Sequence, residues 1–340
     1  MLTFQDLPDE LLLKILSFSE TKDLIGCGQV SKRIRRISHD GTLWVTANLE
    51  KKIVKTELLE MILRKGCRTL NLSHSTILGS LSSNIKSQLT VLKLSHLNTA
   101  WSDTGYRSLL NVLEGLLSSS CSLQHLAMEN VYLTIKMADS ICKNGNTLQI
   151  LNLNRSSLAE ISSYYNNHLQ EIIKCCPALK EVDLAHQMEC GGLTPRDLEF
   201  LVRNIPPKIE KLYLCSSVII DNHIKILLSR CNEIKALSLE ATCMTDDSLK
   251  TIRQHLNLTL EELSLGPDER DTISLEPYER DLVIRSRQAN PPRISFAGFL
   301  ELKSMPRLEI LNLYYKKDDS EEIQNLRQHL PNLMIKGVLD

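Results

Sequence analysis

Cysteine and histidine, the residue types that most often carry chemistry, are frequent in this chain but are not arranged as a reactive centre. The ten cysteines include one adjacent pair, Cys175 and Cys176, that would suit redox chemistry, yet no CxxC pair occurs. The nine histidines fall singly, and the sequence has no HExxH, no G-x-S-x-G and no glycine-rich phosphate loop. We therefore predict no catalytic residue, no metal site and no cofactor, with the thiols reduced and packed in the interior.

Length and charge argue against several further classes of function. The 340 residues are 42% hydrophobic, which is enough for a sizeable core. Lys and Arg number 40 against 41 Asp and Glu, so the basic excess that drives phosphate binding is missing and nucleic acid is not expected as a partner. No apolar run nears the roughly 18 residues that cross a bilayer, and no leader is evident. We expect no membrane partner and a location in the cytoplasm or nucleus.

The elements that would position functional side chains come from an internal repeat. The pattern L-x-x-L-x-L, with Ile, Val, Met or Cys replacing Leu, fits ten windows, which begin at Cys67, Leu89, Leu123, Leu148, Leu179, Ile209, Ile234, Leu260, Leu308 and Leu330. Alternation within each window predicts a short strand. Helical spacing follows, with polar entry residues such as Asp103, Thr194, Asp221 and Asp246. Since one such unit cannot bury its own apolar face, neighbours must stack into an α/β solenoid.

This array resembles leucine-rich repeats of the cysteine-containing subtype, in which a Cys often follows the helix, as at Cys176 and Cys231. The resemblance covers roughly residues 67–340 and implies a horseshoe with parallel strands on its concave face and helices on its convex face. A longer interval between the eighth and ninth windows predicts a loop insertion near 266–295. Its arginines could receive an acidic or phosphorylated segment, and they are Arg285, Arg287 and Arg293.

The first fifty residues follow a different pattern. Apolar residues from Pro8 to Leu16 fall at helical spacing, and two more short helices are predicted over 22–29 and 31–38. A unit of about forty residues buries little surface alone, so we predict that its exposed apolar face is an interface. The segment resembles the F-box through Leu7-Pro8-Asp9-Glu10, Asp23-Leu24, Val30-Ser31-Lys32-Arg33 and Leu43-Trp44. Ser19 and Ile34 depart from the usual pattern, and we expect them to affect affinity for the partner.

The combination resembles the F-box/leucine-rich-repeat family, which includes the S-phase kinase-associated F-box receptors. The resemblance implies an F-box over 1–48, a linker and capping helix over 49–66 and a solenoid over 67–340. It also implies a non-catalytic subunit of an SCF-type cullin-RING ubiquitin ligase. The F-box would bind the S-phase kinase-associated linker protein of the cullin complex. The repeats would hold a protein target, phosphorylated or unmodified, for ubiquitination and proteasomal degradation.

Candidate contact residues follow from this resemblance and from the strand pattern. Those for the linker protein are Leu7, Pro8, Glu10, Leu12, Ile15, Leu16, Leu24 and Val30. Those for the target occupy outward strand positions and are Glu129, Asn154, Arg155, Asp183, Tyr213, Glu240 and Tyr314. Two alternatives stay open. The first segment could serve only as a cap on the first repeat, and the solenoid could be an interaction scaffold that works without a ligase.

Overall fold

A computed structural model describes residues 7–82, 85–98, 103–158, 165–185, 195–215, 219–240, 244–265, 293–318 and 320–338. The chain divides into two compact units, Met1–Leu148 and Gln149–Asp340, which we call the N-terminal and C-terminal units. In the described segments, none of the helices combines the length and apolar character that a bilayer span needs.

The N-terminal unit begins with three short helices, α1 (Asp9–Leu16), α2 (Thr21–Cys27) and α3 (Lys32–Ser38), followed by a 3₁₀ turn over Gly41–Trp44. Ser31 caps α3, because its hydroxyl accepts a hydrogen bond from the Ile34 N–H at 3.1 Å. The buried indole of Trp44 donates to the carbonyl of Ser38 at 2.7 Å. Residues 9–44 therefore form three short helices and a turn with buried apolar side chains, as their helical spacing predicts.

Strand–helix repeats occupy the rest of the N-terminal unit. The strands are β1 (Thr46–Asn48), β2 (Ile53–Lys55), β3 (Thr69–Asn71), β4 (Thr76–Leu78), β5 (Val91–Lys93), β6 (His125–Ala127) and β7 (Tyr132–Leu133), and the helices are α4 (Thr56–Arg64), α5 (Asp103–Ser119) and α6 (Ile135–Lys143). β1, β3, β5 and β6 pair in that order, all parallel, and β2 pairs with β4. We predicted a linker and capping helix over 49–66. This segment contains β2 and α4, and together with β1 of the sheet it forms the first strand–helix unit.

The C-terminal unit repeats the same arrangement. Its strands are β8 (Ile150–Asn152), β9 (Ser157–Leu158), β10 (Glu181–Asp183), β11 (Lys211–Cys215), β12 (Ala236–Glu240), β13 (Glu262–Ser264), β14 (Ile310–Lys317) and β15 (Met334–Val338). Its helices are α7 (Tyr165–Cys175), α8 (Pro195–Asn204), α9 (Asp221–Leu228), α10 (Asp246–Leu256), α11 (Phe296–Leu300) and α12 (Glu321–His329), with a 3₁₀ turn over Glu301–Ser304. All strands except β9 pair in parallel, in chain order, from β8 to β15.

The predicted α/β solenoid of leucine-rich repeats is confirmed. One strand of a parallel sheet begins within each of the ten windows, and the first residue of every window is buried. Three buried cysteines lie beside these strands, and burial raises the pKa of Cys67 and Cys231 to about 11 and that of Cys176 to about 12. Such thiols stay protonated at neutral pH and act as packing groups.

Most of the predicted insertion near 266–295, including Arg285 and Arg287, lies outside the described residues. At its end, the Arg293 N–H donates to the carbonyl of Met244 at 2.9 Å. Ser295 then caps α11 by accepting a hydrogen bond from the Gly298 N–H at 3.1 Å. The chain therefore rejoins the repeats next to α10.

Candidate functional site

One side of α1 leaves apolar side chains in solvent although the opposite side is buried. Leu11, Ile15 and Phe18 are spaced four and three residues apart, so they share one side of the helix and the turn that ends it. These residues are 50%, 43% and 79% exposed. The ammonium group of Lys14 lies 5.3 Å from the Phe18 ring centroid, which favours one ring position. We call these three residues the α1 stripe.

An ion pair between α1 and α3 fixes the orientation of the stripe. Nε and Nη2 of Arg33 donate to Oδ1 of Asp9 at 2.8 and 2.6 Å, and Nη2 also donates to the carbonyl of Leu7 at 2.6 Å. Arg36 donates to the other carboxylate oxygen. The hydrogen bond from Arg33 lowers the pKa of Asp9 below its ordinary value. The segments around Pro8 and Val30 are therefore joined by Asp9, Arg33 and Arg36. None of these three residues was among the predicted linker contacts.

The predicted linker contacts divide into two groups in the structure. Pro8, Glu10, Ile15 and Val30 are exposed and Leu7 is half-buried, so these five offer a surface to a partner. Leu12, Leu16 and Leu24 are instead 0%, 4% and 4% exposed and pack inside the three-helix unit. For these three leucines the assignment as contact residues is corrected to a packing role. Leu11 and Phe18, which are exposed, were missing from the prediction.

Polar residues at the strand ends shape the backbone that follows. Oδ1 of Asn71 accepts a hydrogen bond from the Ser73 N–H at 3.0 Å, and Oδ1 of Asn152 accepts one from the Asn154 N–H at 2.8 Å. Oδ1 of Asp183 accepts one from the N–H two residues further on, at 3.1 Å. This is the Asx turn, in which a short polar side chain replaces a backbone acceptor. Asp183 therefore builds a turn, a role that the sequence pattern did not reveal.

The predicted target contacts have mixed surroundings. Asn154, Asp183 and Tyr213 are only 4%, 5% and 9% exposed, which corrects their assignment as freely solvated strand positions. Arg155 is half-buried and its backbone is left-handed, with φ of 55°. For Glu240 and Tyr314 the structure describes the backbone, in β12 and β14, while their side chains lie outside the described part.

Glu129, the remaining candidate, contacts a pair of stacked histidines that the sequence analysis did not identify. Its Oε1 lies 3.2 Å from Nε2 of His96, and the rings of His96 and His74 stack with centroids 4.9 Å apart. The pKa of His74 is lowered by burial, by His96 and by Lys51, while Glu50 and Glu129 oppose that shift. The signal was a Ser-His dipeptide after two successive strands, Ser73-His74 and Ser95-His96.

These histidines belong to a column of left-handed residues in the N-terminal unit. Three residues after the end of each of the strands β1, β3, β5 and β6 stands a residue with φ between 52° and 58°, and the four are Lys51, His74, His96 and Asn130. The N–H of His74 donates to the Ser95 carbonyl at 2.9 Å, and that of His96 to the Glu129 carbonyl at 2.8 Å. The column therefore extends the hydrogen-bond ladder beyond the strands. Within the described residues, no group of three or more His, Cys, Asp or Glu could hold a metal ion.

Comparison with known proteins gives a family match over the first segment and matches to solved structures at low identity. The family model described as F-box-like matches residues 4–50. Among solved structures, the yeast Rad7 and Elc1 complex is 18% identical, covering 96% of this chain and 87% of that chain with a TM-score of 0.46. The leucine-rich repeat-containing protein LegL7 from Legionella pneumophila is 14% identical, covering 72% and 83% with a TM-score of 0.33. The chain thus combines an F-box-like domain with leucine-rich repeats.

Proposed function

We propose that this chain is the substrate-recognition subunit of a ubiquitin ligase. The F-box-like domain supports an adaptor role of this general kind. The observation that carries the proposal is the coincidence of the family match with an exposed apolar stripe on α1. In the proposal, the stripe binds the S-phase kinase-associated linker protein of an SCF-type cullin complex.

The stripe offers enough apolar surface to anchor a partner. Fully burying one large apolar side chain contributes about 1.5–3 kcal/mol, and Leu11 and Phe18 are both at least half exposed in the free chain. The partner would be a protein with an apolar groove that accepts one helix face. Pro8, Ile15 and Val30 would add contact area around this anchor.

In this proposal the repeats position the target, whereas other subunits catalyse the transfer of ubiquitin. A target held by the strand ends is kept near a ubiquitin-conjugating enzyme, which raises its effective concentration. Glu129 and Arg155 are charged and half-buried, and we propose them for target recognition. The target would then be ubiquitinated and degraded by the proteasome.

A second function, an interaction scaffold without a ligase, is favoured by one contact. The N–H of Asn48 in β1 donates to Oγ1 of Thr21 in α2 at 3.1 Å. This contact ties the three-helix unit to the first strand of the sheet, as a solenoid cap requires. Binding to the linker protein separates the two functions.

The decisive experiment is a pull-down of purified linker protein by the full chain. The test variant is Leu11→Ser with Phe18→Ser, and the control is Ile53→Ser with Leu78→Ser, which removes exposed apolar residues from the β2–β4 pair. We expect the test variant to lose about thirtyfold or more in affinity, as for an interface hot spot, and the control to bind normally. If the wild type does not bind, the scaffold function stands instead. Circular dichroism checks that both variants fold.

A further inference from the structure

A single serine joins α10 to α11 in the C-terminal unit. Asp246 is the first residue of α10, and its Oδ1 accepts a hydrogen bond from the Ser295 N–H at 2.7 Å. Its Oδ2 accepts a second one from the Ser295 hydroxyl at 2.6 Å. The same hydroxyl oxygen accepts a hydrogen bond from the Gly298 N–H at 3.1 Å and so caps α11. Contact between the two helices therefore depends on a hydroxyl that donates its proton to a carboxylate.

The carboxylate of Asp246 is held close against α11. A Cβ added to Gly298 would overlap Oδ1 of Asp246, so the backbone of α11 leaves this carboxylate no space on that side. Phe299 in α11 and Leu302 in the following turn are 3% and 2% exposed, which fixes α11 on the repeats from its other side. The carboxylate therefore cannot move towards α11, and a larger or negatively charged group on Ser295 would have to push the two helices apart.

Ser295 and its neighbours in the chain are accessible. Ser295 is exposed, as is Arg293 two residues before it, and Phe296 directly after it is 38% exposed. Enzymes that modify serine select their substrates through charged and apolar side chains on either side of the acceptor. A guanidinium group two residues before the acceptor can pair with carboxylates in a protein kinase, and an apolar residue after it can fill a small pocket there.

A second Arg-Ile-Ser tripeptide, at 36–38, provides an internal comparison. It has the same three residues as 293–295, but Ser38 is 0% exposed and is the last residue of α3. Its hydroxyl donates to the carbonyl of Arg35 at 3.1 Å. The folded chain therefore presents Ser295 to an enzyme and withholds Ser38, although the sequence of the tripeptide does not distinguish them.

We propose that Ser295 is a phosphorylation site for a protein kinase that selects arginine two residues before the acceptor, and that the phosphate separates α11 from α10. In the transfer, Oγ of Ser295 forms a bond to the γ-phosphorus of ATP, the bond from that phosphorus to the bridging oxygen breaks, and ADP leaves. The hydroxyl proton passes to a base of the kinase. The product carries about −1.5 to −2 charge at pH 7, so it repels the Asp246 carboxylate, to which it can no longer donate. The site is independent of the α1 stripe and of the proposed ligase function.

The test treats the full folded chain with ATP and the catalytic subunit of cyclic-AMP-dependent protein kinase, and locates phosphate by tandem mass spectrometry. We expect phosphate on Ser295 and none on Ser38, whose burial withholds it. Arg293→Ala should slow the modification of Ser295 by about tenfold or more, because the guanidinium is lost. The proposed site is overturned if Ser295 stays unmodified, or if Ser38 is modified first in folded protein.

Hydrogen exchange measures the separation of the helices. Amides of 296–304 should exchange about tenfold faster or more in the phosphorylated chain, because α11 loses its contact with Asp246. In Asp246→Asn the side-chain amide can donate to the phosphate, so phosphorylation should change this exchange by less than about twofold. Circular dichroism checks that each variant folds. Unchanged exchange in the phosphorylated wild type, or equal acceleration in Asp246→Asn, would overturn the proposed separation.

Discussion

Arg33 donates two hydrogen bonds to Oδ1 of Asp9, from Nε at 2.8 Å and from Nη2 at 2.6 Å. These bonds join the first turn of α1 to α3. Both residues lie within short motifs of the F-box-like match, and neither belongs to the apolar face. The planar guanidinium fits one carboxylate in a way that an ammonium group does not. The orientation of the α1 stripe thus depends on a charged pair.

Arg33→Lys should lower the thermal midpoint of the N-terminal unit and weaken linker binding, because a lysine cannot keep both contacts. Lys32→Ala, on the exposed side of the same helix, is the control and should change neither. The pKa of Asp9 is depressed by Arg33, so the pair stabilises the fold above the unfolded pKa of about 3.9. That stability is lost as pH falls through the lower folded pKa. Acid unfolding that is identical in wild type and Arg33→Lys would contradict this role.

Leu12→Ala and Ile15→Ala should separate folding from binding on one helix. Leu12 is fully buried, so its truncation should cost about 2–5 kcal/mol of unfolding free energy. Ile15 is partly exposed, so its truncation should cost less than about 1 kcal/mol while reducing linker affinity. Denaturant titration and a binding isotherm measure the two effects. Equal destabilisation by both variants would refute the assignment of faces.

His74 should make the stability of the N-terminal unit depend on pH below neutrality. Its pKa is lowered by burial, His96 and Lys51, so near its ordinary value of 6.5 the unfolded chain binds more protons than the folded one. Stability should therefore fall as pH drops from about 6.5 towards the folded pKa. His74→Asn should flatten this slope, since Asn tolerates the left-handed backbone and Asn130 occupies the same position in its own repeat.

The control variant is His255→Asn, which makes the same exchange at an exposed histidine on α10, outside the N-terminal unit. In the same unit as His74, the pKa of His39 is also lowered, chiefly by burial, so part of the slope should persist in His74→Asn. Urea unfolding between neutral and mildly acidic pH measures it. A slope unaltered by His74→Asn would rule out this contribution.

Gly79→Ala should destabilise the N-terminal unit by about 1 kcal/mol or more, because φ is +107° there. An added Cβ would also lie 2.2 Å from Oγ1 of Thr56. Gly26→Ala is the matched control, since nothing lies within 4 Å of its Cβ. Gly26 is helical, so that change should gain up to about 1 kcal/mol. Denaturant midpoints of the two variants should move in opposite directions, and a shared direction would refute the argument.

The repeat architecture was predictable because its leucines fall at strand spacing and can be buried only between stacked repeats. The faces of α1 were less predictable. Helical spacing groups Leu12 with Leu16, and Leu11 with Ile15 and Phe18, but which group is buried depends on how α2 and α3 pack. The turn role of Asp183 and the stacking of His74 on His96 depend on neighbouring repeats, which a pattern within one window does not describe.

The left-handed column has a consequence for how such a protein diversifies. Glycine adopts this conformation without strain, yet lysine, histidine and asparagine stand there. At Lys51, His74 and His96 the backbone N–H donates a hydrogen bond to a carbonyl of the next repeat, at 2.8 to 3.0 Å. This bond fixes the position from which the side chain extends, whatever its type. The side chain at this position can therefore change while the backbone stays the same, so new recognition can evolve by single substitutions.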